Sequence, residues 1–249
     1  MMQFLRWKGI CGALALFLTS FALPVEADNA QVVAVAASMA PALESILEHQ
    51  KSEKGPGESL EMVTSSSGKL ARQIKGGAPY GIFLSANEKW VRYLEEKGLL
   101  EDAGPLVDSR LVLWWTKEEP PTLDILQDPQ SRIAIADPEN APIGGAGKKY
   151  LEAQNLWQPL SEKEQILITG DILKSVLAVK HGGATACFVT EGTAVETGGS
   201  YLPLETEAAH YFGGLVTQFA DSQLQEFWNF LRSPGAAPLW QASGFRQVP

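Results

Sequence analysis

Val32-Val33-Ala34-Val35, followed by Ala36-Ala37-Ser38-Met39-Ala40-Pro41, decides how this chain folds. Four apolar residues in a row, three of them β-branched, read as a buried strand. Ser38 then suits a helix N-cap, and Leu43, Ile46 and Leu47 share one face of the helix that follows. Pro41 falls in that helix's first turn, where its missing N–H costs little. The unit is a strand, a tight polar turn and a helix N-terminus.

The chain repeats this unit. Leu60 to Val63 is a second strand, and Ser67-Gly68 opens a helix with Leu70 and Ile74 spaced i, i+4. Ile82-Phe83-Leu84 is a third strand, and the helix from Glu88 to Lys97 is ended by Gly98. Leu111 to Trp115 and Ile133 to Ala136 read as strands, and Gly147 to Gln154 as a helix. Asp171 caps a helix carrying Ile172, Val176 and Val179, and Ala186 to Val189 is again a strand. After Tyr211 to Val216, a last helix runs through Leu224, Phe227, Trp228 and Leu231. This alternation predicts an α/β architecture with mostly parallel sheets flanked by helices. Ligands of such sheets bind beyond the strands' carboxyl ends, where helix N-termini point.

Four of the turns are rich in hydroxyls or glycine: Ala36 to Pro41, Thr64 to Lys69, Pro142-Ile143-Gly144-Gly145, and Thr169-Gly170-Asp171-Ile172. A helix N-terminus offers unpaired N–H groups and the positive end of the helix dipole. Several converging ends bind an anion without Lys or Arg. Beside Pro142, the Gly144-Gly145 pair reads as backbone brought close to a ligand. Asp171 reads as a cap turned away, because its carboxylate would repel an anion.

The composition narrows the classes. Arg6 and Lys8 precede an apolar run from Gly9 to Leu23, and Val25-Glu26-Ala27 suits a signal peptidase, so residues 1–27 read as a cleaved export signal. The 249-residue chain carries a formal charge of −9, and losing Arg6, Lys8 and Glu26 leaves it one unit more negative. So acidic a chain is a poor nucleic-acid binder. Its field also repels anions at long range, so an anion site must act through short-range donors. Cys11 leaves with the signal, and Cys187 alone forms no internal disulfide. Export without disulfides fits a bacterial periplasm.

Other chemistry is weakly signalled. Asp137, Glu139 and Asn140 lack the glycine turn of a calcium loop, and His49, His181 and His210 lack metal-ligand spacing. Cys187 with His181 is a conceivable nucleophilic pair for an exported enzyme, but Cys187 lies in an apolar strand, where a small core residue is the usual role. Trp114 and Trp115 are adjacent on a strand and face opposite sides, so at least one belongs to the core.

Ala36-Ala37-Ser38, Ser65 to Ile74, Gly77-Ala78-Pro79, Phe83 to Trp90, Ala134 to Pro142 and Phe227 to Phe245 together resemble the periplasmic molybdate-binding proteins of ABC transporters. The resemblance implies two lobes, residues 28–110 with 214–249 and residues 111–213, closing on molybdate or tungstate. It implies delivery to a membrane permease by a monomer with no cofactor and no turnover. The family binds the anion through two serine hydroxyls, backbone N–H groups and a tyrosine hydroxyl. The serines match Ser38 and Ser67, the backbone donors match Ile143 and Ile172, and the tyrosine position falls on Thr190. Thr190 is a departure, as are Gly81, Asn87, Ala146, Leu173 and Phe212-Gly213. These departures leave open a receptor drifted to another anion or a small organic acid.

Overall fold

The computed structural model describes residues 31–248 apart from Asn140 and Glu207; the expected export signal lies outside the described residues. The opening stretch folds as β1 (Val32–Ala36), a 3-10 turn (Ala37–Met39) and α1 (Ala40–Glu53). Two further units follow: β2 (Glu61–Ser65) with α2 (Ser67–Lys75), and β3 (Ile82–Ser85) with α3 (Glu88–Glu95). β4 (Leu100–Ser109) then leads to β5 (Leu111–Trp115) in a second sheet. There a 3-10 turn (Leu123–Leu126) precedes β6 (Ile133–Ile135), α4 (Pro142–Ala153), α5 (Trp157–Glu162) and β7 (Ile166–Ile168). α6 (Ile172–Lys180), β8 (Ala186–Thr190), α7 (Glu191–Thr197) and β9 (Ser200–Pro203) complete it. The chain returns as β10 (Ala209–Val216), α8 (Ser222–Arg232), α9 (Ala237–Ala242) and β11 (Arg246–Gln247).

The first sheet has the order β11-β4-β10-β3-β1-β2 and the second β7-β6-β8-β5-β9. Both are mixed, which corrects the expectation of mostly parallel sheets. The strand-turn-helix units pair in parallel, as β2-β1-β3 and β7-β6-β8. Every antiparallel pair involves β4, β5 or β10, the strands that carry the chain between the sheets. The return begins earlier than residue 214, because all of β10 from Ala209 belongs to the first sheet.

Apolar stripes hold the helices to the sheets. On α8, Leu224, Phe227, Trp228 and Leu231 recur at i, i+3, i+4 and i+7 and are fully buried. Each such side chain contributes about 1.5–3 kcal/mol on burial. Asp221 caps this helix by accepting from Leu224 N–H at 2.8 Å, and Trp228 Nε1 donates to the Asp102 carbonyl at 3.0 Å. The Asp102 carboxylate pairs with both terminal nitrogens of Arg232 and accepts from Gln225 Nε2 at 3.3 Å. α8 is thereby fastened to the start of β4. Trp114 is buried in the second sheet's core and Trp115 is half-buried on the other face, as their adjacency requires.

Candidate functional site

Both sheets send their parallel strands toward helix N-termini: β1, β2 and β3 end at α1, α2 and α3, and β6, β7 and β8 at α4, α6 and α7. A cleft of about 410 Å³ lies where the two sets meet. It is lined by Ala86 and Asn87 after β3, by Ile143, Gly145 and Ala146 in the first turns of α4, and by Phe212 of β10, among others. A smaller cleft of about 190 Å³ lies between Ser38 and Pro41 on one side and Gly192 and Val195 of α7 on the other.

Ser67 is the first residue of α2, and Ser66 holds the cap position without a side-chain capping bond. The Ser67 hydroxyl instead accepts from Ala86 N–H at 3.1 Å, next to the large cleft. Asn87 caps α3 by accepting from Lys89 N–H at 2.9 Å, which explains an amide at that departure. Ser38 also is no helix cap: it sits in the 3-10 turn, and neither that turn nor α1 has a side-chain cap. A 3-10 turn between strand and helix moves the α-helical start two residues on and leaves the exposed Ser38 hydroxyl outside it.

In α4 the helix begins at Pro142, five residues before the expected Gly147. A Cβ on Gly144 would lie 2.2 Å from the Ala136 carbonyl oxygen, so this glycine lets the start of α4 pack closely against the chain just after β6. Gly145, by contrast, lines the cleft. Ile172 is the first residue of α6 and packs against the core that includes Val176 and Val179; it is not among the residues lining either cleft. Asp171 behaves as a cap, accepting from Lys174 N–H at 2.9 Å. That backbone bond, with the Lys174 ammonium at 3.1 Å, holds its carboxyl below the usual carboxylate range.

Thr190 is buried, 5 % exposed, and caps α7. Its hydroxyl accepts from Thr193 N–H at 3.2 Å and meets the Thr193 hydroxyl at 2.9 Å. The Thr190 hydroxyl is thus engaged in the cap of α7. Ile143 lines the large cleft together with Ala86, whose N–H is bonded to Ser67, whereas Ser38 lines the smaller one. Burial pushes the Tyr211 phenol up, so it stays protonated.

The crossing between the sheets is tightly made. Arg110 forms a two-pronged ion pair with Glu191, Nη2–Oε1 2.6 Å and Nε–Oε2 2.8 Å. The buried Ser109 hydroxyl accepts from Gly192 N–H at 3.1 Å and donates to the Gly244 carbonyl at 3.0 Å. None of these partners carries a local sequence signal. Cys187 is fully buried beside Trp114 and Val176, and burial pushes its thiol far up, so no thiolate forms at neutral pH. Among the described residues no three His, Cys, Asp or Glu side chains gather as a metal site. Among them also, no helix is long and apolar enough to cross a membrane.

Known proteins share this architecture. The molybdate-binding protein ModA of Escherichia coli is 29% identical over 260 residues, covering 96% of this chain and 98% of its own length. The solved substrate-binding domain of a putative molybdenum ABC transporter from Clostridium difficile superposes with a TM-score of 0.73 at 24% identity, covering 88% of this chain and 98% of that one. The periplasmic molybdate-binding protein of Azotobacter vinelandii does so with a TM-score of 0.69 at 23% identity, covering 88% and 99%. These neighbours are two-lobed binding proteins, and the two sheets here are the two lobes of that fold. The family model of bacterial extracellular solute-binding proteins matches residues 32–246, and this chain belongs to that family.

Proposed function

We propose that this protein captures molybdate or tungstate in the periplasm and delivers it to the membrane permease of an ABC transporter. The observation that carries the reading is that the start of α3 from the first sheet and the start of α4 from the second face one cleft. Ser38 and Ser67 supply hydroxyl donors from the first lobe, and the N–H groups of Ile143 and Ile172 supply donors from the second. All four are neutral. They satisfy a fully deprotonated tetrahedral anion and would leave groups unpaired against a protonated one. Because the donors come from different lobes, the anion binds the closed arrangement better, and that difference drives closure about the β4–β5 and β9–β10 crossings. The names of the relatives support molybdate, and the buried Cys187 supports a role without turnover. An export signal over residues 1–27, a monomeric receptor and no cofactor complete the proposal.

Calorimetric titration of the mature protein with molybdate, tungstate, sulfate and phosphate tests it. The metal oxyanions are expected to bind more tightly than sulfate. A response to neither metal oxyanion, or a preference for sulfate or phosphate, overturns the assignment.

A further inference from the structure

We propose that Ser109 and Gly244 are positioning residues for lobe closure: they clasp the first turn of α7 to the first lobe, and the second lobe turns about that point. The proposal rests on the functional reading above, in which the anion draws the lobes together. Two crossings, β4 to β5 and β9 to β10, already join the lobes along the chain. Gly244 belongs to neither; it precedes β11, the edge strand of the first sheet. α7 belongs to the second lobe, where Ala194 packs with Val112 and Val189. Their contact is a third tie.

Ser109 ends β4 and is 1 % exposed. Its hydroxyl accepts from Gly192 N–H, one of the α7 donors that lack an intrahelical partner, and donates to the Gly244 carbonyl. Gly244 has φ +75°, and a Cβ there would lie 2.7 Å from the Gly192 nitrogen. A Cβ on Gly192 would lie 2.8 Å from the Phe245 ring, which is itself buried edge-on to Tyr211 and Trp240. Neither glycine leaves room for a side chain, so backbones of different lobes touch directly. Parting them strands a buried N–H and a buried hydroxyl; a modest turn about them keeps both bonds. The Arg110–Glu191 pair braces the same point one residue along. Gly192, Ser243 and Phe245 line the small cleft, and none of the clasp residues lines the large one. A body pinned at one side opens at the other, so the large cleft is the mouth and the small one is the hinge side.

Nitroxide pairs test it, read by pulsed dipolar electron resonance with and without tungstate. Glu88→Cys with Lys149→Cys spans the large cleft, and Ser45→Cys with Glu196→Cys spans the small one. All four positions are exposed, and the buried Cys187 takes no label. Tungstate is expected to shorten the first distance by several ångströms and to leave the second in place. Equal movement at both, or movement at the small cleft alone, overturns the proposal. Adding Ser109→Ala is expected to broaden the small-cleft distances; a distribution as narrow as before overturns the role of Ser109. Should that variant not fold, the two label pairs in the parent chain still decide. A protein that binds neither metal oxyanion defeats the functional reading. The ligand-free widths then judge the clasp: broad at the large cleft and narrow at the small one supports it, and equal widths overturn it.

Discussion

The Ser67 hydroxyl accepts a hydrogen bond from the Ala86 N–H at 3.1 Å, tying the first turn of α2 to the end of β3. One serine thus has two tasks. Its oxygen fixes the turn that carries Asn87, and under the proposed function its hydrogen is donated to the anion.

Ser67→Ala removes both. Affinity for the oxyanion is expected to fall by about 1.5–3 kcal/mol, the worth of a hydrogen bond to a charged acceptor. Stability of the unliganded protein falls by about 1 kcal/mol through the orphaned Ala86 N–H. Calorimetry and urea unfolding separate the two. Full affinity with reduced stability would leave Ser67 a structural role alone.

Thr190→Tyr tests whether the pocket accepts a phenol at that position. Thr190 is buried and caps α7, so the larger side chain loses a cap bond costing about 0.5–2 kcal/mol. It also overpacks the region, at about 1–3 kcal/mol. The expected outcome is a lower melting midpoint and weaker binding. A gain in affinity with stability intact would show instead that the added phenol reaches the anion directly.

Acid stability depends on Asp102. The Arg232 guanidinium, with a smaller part from Gln225, holds its carboxyl below the usual range. A carboxyl whose folded pKa lies below its unfolded value stabilises the fold above about pH 4. That contribution is lost as pH falls toward the folded value. Urea midpoints of the wild type are therefore expected to drop more between pH 6 and pH 3 than those of Asp102→Asn. Equal drops would remove Asp102 from the account.

The strands that were legible are short apolar runs closed by turn residues, such as Val32 to Val35 or Ala186 to Val189, which need no tertiary context; the short β7, β9 and β11 passed unread. β4 was not legible either, since Asp102, Gly104 and Pro105 interrupt any alternation; its pairing with β10 supplies what local pattern does not. The start of α4 was misplaced because Gly144-Gly145 disfavours helix, and the contact with Ala136 that demands Gly144 is invisible along the chain. The serines could be singled out by type and neighbours.

β10 lies between β3 and β4 in the middle of the first sheet, although it is among the last strands in the sequence. The lobe that is synthesised first is therefore the one that finishes last. Until residue 216 has emerged, β3 and β4 have no partner between them, and their pairing must wait for the whole second sheet to pass. Such non-local closure is slow. Folding order is thus written into strand order: the growing chain stays open along its length and becomes a receptor only near its end.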